Sequence, residues 1–179
     1  YRINKFEKIE KDLLDKKNFY NNLQIKNDKN HYNVIGNSLN IDKIVSKLLK
    51  TESKDKKKFF NKNFKFLFDI KEIFLDETNI IYDLKGSLLL IDNEISELDL
   101  ESKFSNNHKI KFTINTNSNN DKVTTLFSNK AKPLVDRYKF IKGFNEGKLD
   151  FYSIKKNDKS TSTLKIYDFK LKELPVLTK

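Results

Sequence analysis

The stretch Phe64-Lys65-Phe66-Leu67-Phe68-Asp69-Ile70-Lys71 decides the fold. Bulky apolar side chains stand at every second position, with Lys65, Leu67, Asp69 and Lys71 between them. A strand sends successive side chains to opposite faces, so this period gives a β-strand with one apolar and one wet face. The same reading extends along the chain. Tyr82, Leu84, Leu88 and Leu90 continue the pattern, with Gly86 marking a bulge or a close approach. Leu98, Leu100 and Phe104 alternate with Glu97, Asp99, Glu101 and Lys103, and Ile110, Phe112 and Ile114 with Lys109, Lys111 and Thr113. Turn residues separate these runs: Asp76-Glu77-Thr78-Asn79, Asp92-Asn93-Glu94, Ser105-Asn106-Asn107-His108 and Asn117-Ser118-Asn119-Asn120-Asp121. Neighbouring strands are therefore expected to pair as antiparallel hairpins. The apolar positions flanking Asn106-Asn107 are all even-numbered, which requires an odd loop of about three or five residues there.

Other segments leave this period. Ile41, Ile44, Val45, Leu48 and Leu49 form a helical stripe that Asn40 is placed to cap. A second short helix is expected from near Ser128, with Ala131, Leu134, Val135 and Tyr138 on one face and Pro133 in its first turn. Ala131 is the only alanine, which argues against a helix-rich domain. Strands are expected over Phe19–Lys26 and His31–Leu39, and a charged linker over Thr51–Lys58. Residues 1–17 suit either a helix or a strand through Phe6 followed by a loop. The expected division is an N-terminal strand-helix segment with its linker over 1–60 and a β-sheet segment over 61–179. The fold class is mainly β, an antiparallel twisted sheet of roughly eight to ten strands with two short helices.

A chain of 179 residues is long enough to bury a core. It starts at Tyr1 and contains no Met, so a slice of a longer protein is expected. Absence of cysteine excludes disulfides, thiolate metal sites and Cys nucleophiles. No apolar run is long enough for a membrane-spanning helix. The formal net charge of +11 points first to nucleic acid or an anionic lipid surface. Only Arg2 and Arg137 carry the guanidinium fork that base and phosphate recognition favour, and the lysines are spread along the chain. With Lys, Asn, Ile and Phe abundant, the charge reads chiefly as the composition of an AT-rich genome, and no nucleic-acid partner is expected.

Little in the chain suggests catalysis. His31 and His108 are the only histidines, and neither has a partner at useful spacing. No nucleophile elbow, zinc helix or phosphate loop is present, and four glycines are few to build one. Asp92, Glu94, Glu97, Asp99 and Glu101 could serve calcium or acid–base chemistry. Glu97, Asp99 and Glu101 stand at wet, odd-numbered positions of one strand, and cross-strand ion pairs with Lys109 and Lys111 account for them. No enzyme activity, metal or cofactor is expected. The aromatic stripe has two readings: the core of a closed sandwich, or the apolar face of an open sheet.

Three ordered elements near the end of the chain carry a resemblance. They are Ala131-Lys132-Pro133-Leu134-Val135-Asp136-Arg137-Tyr138, the hinge Phe140-Ile141-Lys142-Gly143-Phe144-Asn145-Glu146-Gly147-Lys148-Leu149-Asp150-Phe151, and the strand Leu164-Lys165-Ile166-Tyr167-Asp168-Phe169-Lys170-Leu171 running to Pro175. Together they resemble the C-terminal region of the AsmA-like superfamily, in particular its YhdP- and TamB-type members. The segment Tyr32-Asn33-Val34-Ile35-Gly36-Asn37-Ser38-Leu39-Asn40-Ile41 is similar to the strand, glycine and short helix which that family repeats. Where the family often has Asp-Ala-Gly, this chain has Lys130-Ala131-Lys132, so no polar role is carried over to that entry. The resemblance is best over Tyr82–Lys179, weaker over Tyr32–Lys50 and absent from the first thirty residues.

The resemblance implies an open β-groove, taco-like in section, in a periplasmic protein held by an inner-membrane anchor outside this segment. It implies a non-enzymatic part of a bridge-like lipid-transfer protein carrying phospholipid between the inner and outer bacterial membranes. Inner- or outer-membrane proteins would be further partners. With the alternation, it assigns acyl-chain contact to Phe64, Phe66, Phe68, Leu84, Leu88, Leu98, Leu100, Phe112 and Ile114. The rival expectations are a closed β-sandwich acting as an assembly module for outer-membrane proteins, and a basic nucleic-acid-binding domain.

Overall fold

The computed structural model describes residues 21–28, 31–41, 63–92, 94–138, 143–157 and 159–171. Their strands are β1 (Asn22–Asp28), β2 (His31–Asn40), β3 (Phe64–Phe74), β4 (Ile80–Ile91) and β5 (Glu94–Lys103). Then follow β6 (Lys109–Thr116), β7 (Lys122–Ser128), the short helix α1 (Lys132–Tyr138), β8 (Phe144–Lys156) and β9 (Lys159–Leu171). All nine strands lie in one open sheet, in the order of the sequence. The expected mainly-β, mostly antiparallel open sheet is what forms. Of the two expected helices, α1 is present. The stripe from Ile44 to Leu49, the linker 51–58 and residues 1–17 lie outside the described residues. Asn40 itself ends β2, and the Ile41 amide donates to the Phe74 carbonyl at 3.0 Å.

One pairing departs from the hairpin expectation. β2 and β3 run parallel, with Tyr32 beside Phe66 and Asn40 beside Phe74. A parallel neighbour requires the chain to cross back between the two strands, and residues 42–62 make that connection. β1 and β2 therefore belong to the same sheet as β3–β9, across the division drawn at residue 60.

The remaining turns follow from their residues. β5 and β6 pair from Leu98–Ile114 to Lys103–Lys109, leaving the five-residue loop 104–108 that even parity demands. Within it the Phe104 amide donates to the His108 carbonyl at 2.8 Å, and Asn107 takes φ +60°. The wet face of this hairpin is paired as its charges suggest. Lys109 lies 3.7 Å from Glu101 and Lys111 3.3 Å from Asp99, both diagonal to the direct cross-strand partners. Each such exposed pair contributes about 0.2–1 kcal/mol.

A crease crosses one end of the sheet. On β3 the buried positions run even as far as Ile70 and become odd at Ile73, with Lys71 and Glu72 both exposed between them. β4 changes likewise between Ile81 and Leu84, where Asp83 takes φ +55°. Because the β3–β4 register is unchanged across this point, both strands change phase at one level. Ile70, Ile73 and Ile81 then pack with Val34, Phe104 and Ile110 in one cluster. β5 keeps its even phase, and a register shift between Tyr82 and Lys85 absorbs the difference. Buried Ser102 donates its hydroxyl to the Tyr82 carbonyl at 2.6 Å, satisfying an acceptor at that irregularity. At the same end, β8 turns through Glu146 (φ +61°) and Gly147 (φ +83°), and β9 through Asp168 (φ +55°). There α1 docks: the Ala131 amide donates to the Gly147 carbonyl at 2.7 Å, and Ala131 and Val135 pack on Phe144 and Leu149.

Two positions yield measurable consequences. Gly86 takes φ +144°, and a Cβ there would stand 1.8 Å from the Asp99 carbonyl oxygen of the next strand. Gly86→Ala should destabilise the chain by about 3 kcal/mol in urea unfolding, or prevent folding, whereas Ser87→Ala should change it by under about 1 kcal/mol. Asp76 anchors the β3–β4 turn by accepting from the Thr78 and Asn79 amides, each at 2.8 Å, and from the Asn79 side chain at 2.9 Å. Partial burial works to raise its carboxyl, but these hydrogen bonds outweigh it and hold the group below the usual carboxylate range. The stabilisation is therefore full above the unfolded value of about 3.9 and is lost as pH falls through the lower folded value. Asp76→Asn should cost about 1 kcal/mol at neutral pH, solvent screening keeping it at the low end for bonds to a charge. The gap from the unsubstituted chain should close in acid; a gap constant with pH would show that the charge is not its cause.

Candidate functional site

The cross-strand registers align the apolar side chains into rows perpendicular to the strands. Directly opposed residues point to the same face, so a row can be followed from one edge of the sheet to the other. One row is Ile25, Val34, Phe68, Gly86, Leu100, Phe112, Leu126, Phe151 and Leu164. It contains no polar side chain on any of the nine strands. The flanking row towards the crease runs through Leu23, Gly36, Ile70 and Leu84, then beyond the register shift through Ser102, Ile110, Ser128, Leu149 and Ile166.

All nine residues assigned to acyl contact fall on this face. Phe66, Leu88, Leu98 and Ile114 share one row, Phe68, Leu100 and Phe112 the next, Leu84 the third, and Phe64 stands beside Leu90. Among the described residues no second sheet covers them, and α1 reaches only the corner formed by Phe144 and Leu149. Tyr32, Phe64, Phe66 and Phe68 stack along this face, the ring centroids of Tyr32 and Phe66 lying 5.5 Å apart and those of Phe66 and Phe68 6.4 Å. Such contacts contribute about 0.5–1.5 kcal/mol each beyond area burial. Phe104 is buried at the crease, and Phe169 stacks on Phe144 at 5.3 Å beyond it.

Burial is uneven across the face. Ile70 is fully buried and Leu98 nearly so, Phe68, Leu100 and Phe112 are half-buried, and Leu164 on the β9 edge is 45 % exposed. Ile25, Val34, Leu126, Phe151 and Leu164 complete the central row without having been assigned to it. Alternation in Leu23-Gln24-Ile25 and Tyr32-Asn33-Val34 could have revealed the first two. Leu126 and Leu164 stand among Thr and Ser, where no apolar period is visible.

The opposite face is charge-patterned. One of its rows reads Gln24, Ile35, Asp69, Lys85, Glu101, Lys111, Phe127, Asp150 and Lys165, with opposite signs on successive strands from β3 to β6 and again between β8 and β9. The described residues together carry seventeen Lys and Arg against sixteen Asp and Glu. The excess behind the net charge of +11 thus lies in the other segments, chiefly 42–62, where eight Lys meet three acidic residues. The outer face is balanced and not lysine-rich. At the crease, Lys148 donates to Asp168 at 2.8 Å, and that bond and charge raise its pKa above the ordinary lysine value.

Polar chemistry is sparse. His31 Nε2 lies 3.7 Å from the Asp28 carboxylate, and His108 is exposed in its loop. Among the described residues no group of three His, Cys, Asp or Glu could hold a metal ion. Two clefts, of about 510 and 380 Å3, lie near the crease; the first is lined by Asn22, Gln24, Asn37 and Asp69, the second by Glu72, Tyr82, Lys103 and Asn107. Neither contains any of the nine assigned residues. No family model matches the chain, and no solved structure matches it.

The unevenness of the face has a measurable form. Ile70→Ala should cost about 3 kcal/mol in urea unfolding, from lost transfer energy and the cavity left behind. Leu164→Ala, on the same face but at the open edge, should cost under about 1 kcal/mol.

Proposed function

We propose that this chain is a non-enzymatic segment of a bridge-like lipid-transfer protein, along whose apolar face phospholipid acyl chains lie while headgroups remain in water. The observation that carries the reading is the central row from Ile25 to Leu164, apolar on every strand of an open sheet. An acyl chain needs contiguous apolar surface and no directed contact. Each CH2 taken out of water contributes about 0.8 kcal/mol, so a few side chains of one row suffice to hold it reversibly. The charge-alternating outer face suits the role, because it stays hydrated without recruiting an anionic polymer.

The resemblance to AsmA-like proteins points the same way and supplies the wider setting of the proposal. That setting is a periplasmic groove protein, anchored in the inner membrane by a segment other than this one, acting in outer-membrane biogenesis with inner- or outer-membrane proteins as partners. The near-neutral sheet weighs against a nucleic-acid-binding surface on it, and the single layer weighs against a sandwich module.

Photocrosslinking residues placed at Phe66 and Leu100 should capture phospholipid in cells, while those at Lys65 and Asp99, on the opposite face, should not. Equal labelling at all four positions would sink the assignment of faces, and no labelling at any would remove the lipid reading.

A further inference from the structure

The apolar face is not uniform along its strands. The row that reads Tyr32, Phe66, Leu88, Leu98 and Ile114 on β2 to β6, with Asn27 at its β1 edge, continues on the last three strands as Thr124, Ser153 and Ser162. The change is sharper one row further from the crease. Phe64 and Leu90 stand there on β3 and β4, whereas β6 to β9 present Thr116, Lys122, Lys155 and Ser160. The face is therefore divided diagonally, with a hydroxyl and ammonium quarter on β7–β9 adjoining the central apolar row.

Within that quarter Lys122 and Lys155 are direct cross-strand neighbours. Like charges so placed repel. Lys122 has Glu94 at 3.9 Å, a long contact, and Lys155 has no ion pair among the described residues. A bound anion would relieve this repulsion. Ser162 donates its hydroxyl to Ser153 at 2.9 Å, which leaves the Ser153 hydrogen free for another acceptor.

We infer that the Lys122–Lys155 pair is the headgroup end of an oriented site for an anionic phospholipid, whose acyl chains run towards Leu126 and Phe151. Resting on the lipid reading of the same face, it adds an orientation and a headgroup class. The order of groups along the strands matches the order of groups in the ligand. A strand advances about 3.3 Å per residue, so about 7 Å separates the Lys122 row from the Thr124 row, and a similar step leads to Leu126. Two ammonium groups meet the phosphate. The hydroxyls of Thr124 and Ser153 then donate to the ester carbonyls, Ser162 holding Ser153 by its own hydrogen bond, and the apolar row takes the chains. A zwitterionic headgroup carries its own cation to the same place and loses part of the attraction, so the site prefers a net-negative headgroup.

The test uses the full chain and short-chain lipids kept monomeric, so that attraction to a vesicle surface does not enter. In calorimetric titration, phosphatidylglycerol should bind about tenfold more tightly than phosphatidylcholine of equal chain length. Lys122→Gln with Lys155→Gln should abolish that preference, lowering phosphatidylglycerol affinity about tenfold more than phosphatidylcholine affinity. Lys85→Gln with Lys165→Gln, which removes the same charge from the opposite face, should retain it. Equal binding of both lipids by the unsubstituted chain, or equal loss in the two double variants, would overturn the headgroup site and leave the apolar face standing. Binding of inorganic phosphate as tight as that of phosphatidylglycerol would assign the lysines to a free anion and also overturn it. Binding of neither lipid would remove the apolar-face reading together with the site.

Discussion

Backbone hydrogen bonding between neighbouring strands fixes which side chains share a row, and the rest of this molecule depends on that register. A slip of one residue in any strand would turn its apolar set to the opposite face. From β5 to β9 each pairing keeps a single register over its length. The central row is the outcome: every strand contributes a position to it, although the strands differ in length and composition. Gly86 shows how strict the constraint is. It occupies the row with no side chain because the β5 backbone passes too close for one.

The crease obeys the same constraint. A strand that changes phase alone would break its rows, so it must change with its neighbour or lose a residue of register against it. Both solutions are present: β3 and β4 change together, and β4 shifts against β5. The cost falls on backbone geometry, at Asp83, Glu146, Gly147 and Asp168. Asp is a residue that tolerates the left-handed region better than most. In return, side chains of both phases reach a single cluster, so that Ile73 and Ile81 are buried beside Ile70. The crease is also where the sheet acquires its only cover among the described residues, since Gly147 lets the backbone approach α1 and gives Ala131 an acceptor.

Period two is a local signal, and what it specifies was legible. The strands from Phe64 to Ile114, the odd loop after Lys103, the ion pairs of Asp99 and Glu101, the bulge-prone Gly86 and the common face of the nine assigned residues all follow from residues a few positions apart. The parallel pairing of β2 with β3 does not, because no local feature says whether a chain returns to its sheet antiparallel or crosses back. Nor does the crease: Lys71-Glu72 looks like two wet positions in a row, and only the neighbouring strands show that the phase has changed. Leu126 and Leu164 escaped notice for a related reason. In Thr124-Thr125-Leu126-Phe127 and Ser162-Thr163-Leu164, one apolar residue among hydroxyls has no period of its own, and its face is assigned by its partners Phe112 and Phe151.

That limit bears on function as well. Reading along a strand separates the two faces, whereas the division of the apolar face into hydrocarbon and hydroxyl quarters runs across the strands. Thr124 is far along the chain from Ser153 and Ser162, and each of the three is individually unremarkable. Register makes them one row, continuous with Ile114 and Leu98. The same holds for charge. The net charge of +11 points to a basic surface, yet the described sheet is nearly neutral, and two of its lysines beside the central apolar row are neighbours aligned by the β7–β8 pairing. Two cations in register beside an apolar row specify more chemistry than the total does, because position relative to hydrocarbon distinguishes an amphiphile from a free ion.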